Sequence, residues 1–206
     1  MGFGGAIDLS PCPLPFREGN PGQDDSAWAA FALALLLKGG RRRLRYEVRH
    51  TVWRELIREL TCDAQPIGDL DPGPDFMPGA TSEELDAVEQ ALDVQLPTSL
   101  KELLSETNGV RFEFGTPLVW SADEIARANR EMRNDTWNRA NYMPFDDLLF
   151  FGGAGVDGIL FAFANNQGRI DRDEVCAWYP IEDRRERKAA SFRDYAVNWI
   201  SGKMSL

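Results

Sequence analysis

Histidine is nearly absent from this chain of 206 residues: there is one, His50. A Ser/His/Asp or Cys/His catalytic set would have to run through it, and so would most zinc sites. It stands in Arg49-His50-Thr51-Val52-Trp53, at the start of an expected helix, with no His or Cys at ligand spacing. A solvated or capping role fits it better than catalysis. Cysteine is scarce too. Cys12, Cys62 and Cys176 lie far apart, are odd in number and form no CxxC pair. That argues against a disulfide framework and fits a reducing, cytoplasmic compartment. No metal, cofactor or catalytic residue is expected.

A membrane-length apolar run is also missing. The stretch Ala27 to Leu37 follows Asp24 and Asp25 and precedes Lys38-Gly39-Gly40-Arg41-Arg42-Arg43. A spanning helix needs about 20 residues, and a secretory leader carries its positive charge before the apolar stretch, not after it. A short packed helix capped by Ser26, or an oddly composed N-terminal extension, fits better than an anchor. A start placed upstream of the true one is a third reading. Positive charge is short as well: 23 Lys and Arg stand against 33 Asp and Glu, a net of -10. Residues 1–49 hold 7 basic and 5 acidic side chains, so residues 50–206 carry 16 and 28, a net of -12. This acidity argues against nonspecific binding of nucleic acid or an anionic membrane, and permits a basic protein partner. It also serves ordinary solubility.

What is present is enough for a core. The chain is 43% apolar and 11% aromatic, and at this length it buries about 70% of its unfolded surface without a disulfide or metal. Two parts are expected: an extension over 1–44, dense in Gly and Pro at its start, and one folded domain over 45–206. Val48, Val52, Leu56 and Leu60 recur at i+4, which predicts a helix over 45–62. Seven Pro and Gly residues between 63 and 80 predict a linker or long loop.

Thr81-Ser82-Glu83-Glu84 reads as a capping box, with Leu85, Val88 and Leu92 on one helical face. Pro97 opens a second helix with Leu100, Leu103 and Leu104 inward, and Asn108-Gly109 stops it. Val110 to Phe114 alternates like a strand, and Leu118-Val119-Trp120 predicts another. Ser121 and Glu124 form a second capping box, opening a helix to about Arg133. Residues 134–147 show no period. Strands are predicted at Leu148–Phe151, Ile159–Ala164 and Val175–Tyr179, a solvated charged run at 182–188, and a last helix capped by Ser191 with Asp194. The fold class this order predicts is α+β: a twisted, mainly antiparallel sheet flanked by helices in a single domain.

Gly153-Ala154-Gly155-Val156-Asp157-Gly158 spells G-x-G-x-x-G. A dinucleotide site needs a helix after those glycines. The residues that follow, Ile159 to Ala164, read as a strand, so the glycines are expected to turn a hairpin. The acids Asp146, Asp147, Asp157, Asp171, Asp173 and Glu174 lack the spacing of a calcium loop, and nothing fixes the separation a carboxylate-pair hydrolase needs. Trp53, Trp120, Trp178 and Trp199 sit in periodic segments and are expected in the core. Trp137 lies in a polar stretch with Arg139 and Tyr142. It suits a binding hot spot or an anchor that pins a loop.

The ordered set Thr81-Ser82-Glu83-Glu84-Leu85, Val88-Glu89, Leu96-Pro97-Thr98-Ser99-Leu100-Lys101-Glu102-Leu103-Leu104 and Thr107-Asn108-Gly109-Val110 resembles the front half of a SUKH-superfamily domain. The later pieces are similar in kind and order: Leu118-Val119-Trp120-Ser121, Asn129-Arg130-Glu131-Met132-Arg133, Tyr142-Met143-Pro144-Phe145, Leu148-Leu149-Phe150-Phe151-Gly152 and Ala190-Ser191-Phe192. The resemblance covers about 50–201. Val110 stands where the family has a second glycine. The superfamily includes bacterial immunity proteins and fungal cell-wall assembly regulators, so the resemblance implies an α+β fold and binding rather than catalysis. It implies a cytoplasmic immunity protein that neutralises a cognate toxin, often a nuclease, by direct contact. A regulatory or scaffold interaction module without a toxin is the alternative. The expected partner is a basic protein toxin, with Asp146, Asp147, Asp157, Asp171, Asp173 and Glu174 as contacting acids and Trp137 and Tyr142 as aromatic anchors.

Overall fold

The computed structural model describes residues 52–62, 73–112 and 116–206. His50, Cys12, the apolar run Ala27–Leu37 and the whole 1–44 extension lie outside the described residues, as do the start of the first expected helix and most of the linker.

The elements follow as α1 (Trp53–Thr61), β1 (Asp75–Phe76), α2 (Ser82–Leu92), α3 (Thr98–Glu106), β2 (Val110–Arg111), β3 (Pro117–Val119) and α4 (Ala122–Asn134). Then come α5 (Thr136–Asn141), β4 (Leu148–Gly153), β5 (Leu160–Ala164), β6 (Val175–Tyr179), β7 (Arg184–Ala189) and α6 (Phe192–Ile200). The fold is α+β and every strand pair is antiparallel. The strands form two sheets rather than one, ordered β1-β2-β3 and β4-β5-β6-β7. The Trp120 N–H donates to Phe151 O (2.8 Å) and links them.

Local chemistry sets the helix ends. Both capping boxes form: the Glu84 N–H donates to the Thr81 hydroxyl while Glu84 takes the Thr81 N–H (2.8 Å), and Ser121 and Glu124 do the same. Asp93 ends α2 in the left-handed region at φ 50°. Of the Asn-Gly pair only Gly109 takes positive φ (+100°). The Asn108 side chain instead accepts the Ala122 N–H (2.7 Å), helping to satisfy the first turn of α4.

The four-stranded sheet is buried on both faces. Phe151, Phe161 and Phe163 meet Phe192 and Tyr195 of α6 at ring separations of 4.9–5.5 Å. On the opposite face Leu148, Phe150, Leu160, Ala162 and Trp178 are covered by Phe145, with Tyr142 and Met132 packed alongside. Alternation along a strand sends neighbours to opposite faces, so the continuous apolar run of β4 fills two cores. The buried Tyr195 hydroxyl donates to Leu118 O (2.9 Å), which ties α6 to β3.

Two expectations are corrected. The charged run at 182–188 is not simply solvated: Arg184–Ala189 is strand β7, paired to β6. A strand at the margin of a sheet tolerates charge, because its outward side chains reach solvent and charge there discourages further pairing. Its cations also find partners: Arg184 and Lys188 with Glu186, Arg185 with Asp147, and Arg187 with Glu174. Residues 134–147 are not wholly irregular either. Asp135 accepts the Asn138 N–H (2.8 Å) and caps α5.

Candidate functional site

The glycine motif makes the turn of the β4–β5 hairpin. Ala154 donates to Ile159 O (2.9 Å), and Gly155, Asp157 and Gly158 all take positive φ. No helix follows, so the pattern presents no dinucleotide site. A Cβ on Gly158 would lie 3.3 Å from Pro180. The β4–β5 turn therefore sits beside the β6–β7 turn, at one end of the four-stranded sheet.

The predicted site residues fall towards the two ends of that sheet, roughly 15 Å apart along β5, with Asp147 between them, because Arg185 joins its carboxylate to the backbone of Met143 and Pro144. Asp146, Asp147, Asp171, Asp173 and Glu174 gather where β4 begins and β5 passes into β6. There, Asn165 donates its N–H to Asp147 O (2.8 Å) and its amide to Asp146 O (2.7 Å). Most of these carboxylates are engaged within the fold. Asp147 takes two contacts of 2.6 Å from Arg185. Glu174 pairs with Arg187 at 3.3 Å and Arg172 at 3.6 Å. Asp146 lies near Arg133, which donates to Leu148 O (2.9 Å) and Leu92 O (3.3 Å). Burial holds that guanidinium below its ordinary value, and the Asp146 charge opposes the shift. Asp171 keeps only a 3.9 Å approach to Arg169 and a weak bond from Asn166.

Asp173 is a fastener rather than a surface acid. Half-buried, it accepts from Ser99 Oγ (2.6 Å) and the Phe192 N–H (3.3 Å), so it joins the starts of α3 and α6. Burial raises its pKa above the ordinary carboxylate value, against the lowering effect of both hydrogen bonds. The folded state then holds the Asp173 proton more tightly than the unfolded state. Ionisation costs stability, progressively, as pH rises from the unfolded value through the folded one. Across that mildly acidic window the stability of Asp173→Asn relative to the parent is expected to improve with rising pH. Urea unfolding at several pH values measures this, and a difference that is flat with pH contradicts it.

The second group lies at the turn end. Asp157 is exposed there, one residue before Gly158, which faces Pro180. Tyr142 packs edge-on against Trp178 (5.0 Å) and at a tilt on Phe145 (5.8 Å), and carries the exposed Trp137 ring on its outer side (5.2 Å). Burial and the nearby Asp183 charge raise the Tyr142 pKa. Asp183 binds the two segments together: it accepts the Met143 N–H (2.6 Å) and the Trp178 indole N–H (2.9 Å). Arg185 adds donations to Met143 O (3.2 Å) and Pro144 O (2.7 Å). Trp137 thus lies outside the core, on Tyr142, which is itself packed against Trp178 and Phe145. Sequence reasoning missed Met143, Ile181, Glu182 and Asp183. The available signal was an isoleucine in an otherwise charged turn.

Among the described residues no three His, Cys, Asp or Glu side chains cluster so as to hold a metal. An open polar groove of about 750 Å³ lies between the end of α2 and the β5–β6 turn, lined by Asp86, Glu89, Asp93, Gln95, Gln167 and Arg169. Its Glu89 is engaged by the Leu96 N–H and Lys101, both at 2.8 Å. Cys176 lies against β5 with its thiol pushed up to about 11 by burial. A thiol so raised is mostly unreactive. In native protein at mildly alkaline pH it is expected to resist alkylation while the exposed Cys62 reacts, as read by peptide mass spectrometry. Fast labelling of Cys176 contradicts the packing.

The chain is an α+β protein whose two antiparallel sheets are wrapped by helices. A family model described as SUKH_6, SMI1-KNR4 cell-wall, matches residues 82–195, more than half of its length, from the first residue of α2 into α6. The chain belongs to the SUKH superfamily. That family is generally non-enzymatic. No curated protein matches the chain. Val110 is fully buried in β2. No helix among the described residues is long and apolar enough to cross a membrane.

Proposed function

We propose that this protein is a non-catalytic, cytoplasmic immunity protein that binds a cognate basic toxin and neutralises it by direct contact. The family match over residues 82–195 carries this reading. The net charge of -12 over residues 50–206 supports it, because an acidic surface steers a basic nuclease into contact and occupies its phosphate groove. A second reading, a regulatory or scaffold module with no toxin, is favoured by the cell-wall description of the matched family. Co-expression separates the two. Where a toxin gene adjoins the gene for this chain, cells producing that toxin are expected to grow when the chain is present; continued killing at equal toxin levels sinks the immunity reading.

A further inference from the structure

We infer that the turn end of the sheet, with Trp137, Met143 and Ile181 as its apolar crown, is a docking surface for a basic protein segment bearing an apolar anchor. This deepens the binding reading and rests on it. Trp137 is 59% exposed, Met143 48% and Ile181 83%, three of the few large apolar side chains the fold leaves in solvent. They stand on two segments that Asp183 joins. Asp183 holds the Met143 N–H directly, and Ile181 lies two residues before it in the same turn.

The surface is pre-organised. Trp137 rests on Tyr142, which rests on buried Trp178 and Phe145, and three hydrogen bonds, one accepted by Asp183 and two donated by Arg185, fix the backbone at Met143 and Pro144. Aromatic side chains already held in place lose little entropy on binding, which is why tryptophan dominates hot spots.

Charge identifies the partner. At the far end of the sheet Asp173 holds Ser99 and Phe192, Glu174 holds Arg187 and Arg172, and Asp147 holds Arg185, while Asp171 keeps only its 3.9 Å approach to Arg169 and Asp146 is exposed. At the turn end, Asp157 and Glu182 are exposed and neither makes a close ion pair among the described residues; Glu182 has only a through-space attraction to Arg184, whose guanidinium is paired with Glu186. Carboxylates beside an apolar knob suit Lys or Arg flanking an aromatic or aliphatic residue. The partner this geometry selects is a basic protein surface rather than an acidic one.

The test presents the immobilised full chain with a phage-displayed library of random peptides, so it does not depend on a toxin. The enriched peptides are expected to combine Lys or Arg with an aromatic or aliphatic residue. Trp137→Ala with Ile181→Ser should weaken them at least about tenfold, and Asp171→Asn, at the far end, should leave them within about twofold. Ile181→Lys serves as a second variant that keeps the tryptophan, removes the apolar knob and adds a positive charge; it should also weaken capture at least about tenfold. Thermal unfolding checks that each variant folds. An empty selection, uncharged peptides, or binding that both variants leave intact overturns the surface. A dimer in sedimentation that Ile181→Lys dissociates also overturns it, by giving the face to a second copy. A chain that selects basic peptides here but fails to rescue cells loses only the toxin. One that rescues equally well with Trp137→Ala and Ile181→Lys loses only the surface.

Discussion

Replacing Asn129 by alanine is expected to cost about 3 kcal/mol or more. Asn129 is fully buried in α4. Its amide donates to Phe150 O (2.7 Å) and Ile125 O (2.8 Å), and its carbonyl accepts the Phe150 N–H (2.9 Å). It therefore treats the outer side of β4 as a neighbouring strand would. Alanine leaves a buried N–H and a buried C=O of Phe150 unpaired, and each such group costs about 1–3 kcal/mol. Asn129→Asp fares no better, because it keeps the acceptor, loses the donor and places a charge in the core. Urea unfolding should show a lowered midpoint with an unchanged slope. A loss below about 1 kcal/mol means the β4 edge is satisfied some other way.

The second large effect is kinetic. If acidic steering brings in a basic partner, its association rate falls about tenfold or more from low to high salt. Dissociation, governed by the apolar contacts, changes much less. Asp157→Lys and Glu182→Lys should flatten the salt dependence as well as slow association. Asp173→Asn should do neither, since that carboxylate is held by Ser99 and Phe192 inside the fold. Stopped-flow association with the toxin across a salt series reads all of this. A rate indifferent to salt removes the steering and leaves the acidity to solubility.

The helical part of the fold was legible because capping and turn chemistry are local. Thr81 with Glu84, Ser121 with Glu124, Ser191 with Asp194, and Gly109 each act over a few residues. The buried strands were legible from apolar runs. Strand β7 was not, because Arg184-Arg185-Glu186-Arg187-Lys188 has the composition of a solvated loop. Only pairing with β6 and ion pairs to distant Glu174 and Asp147 make it a strand. The division into two sheets depends on register, which no run of residues displays.

The candidate site was half legible. Trp137 and Tyr142 stood out as aromatics in a polar stretch, and they do sit together. The six acids could not be sorted by sequence, because whether a carboxylate is engaged depends on partners far along the chain. Asp173 looked like its neighbours Asp171 and Glu174, yet it holds two helix starts. Asp157 was grouped with acids that lie at the opposite end of the sheet. Ile181 stands just before a charged run, and only Pro180 beside Gly158 reveals which surface it joins.

The central claim is that this chain silences a toxin by binding it. The most direct measurement titrates the purified toxin's own activity with the purified full chain. The account predicts that activity falls linearly to zero at a fixed molar ratio, and that Trp137→Ala with Ile181→Lys restores it. Toxin activity that persists undiminished in excess of the chain contradicts the claim.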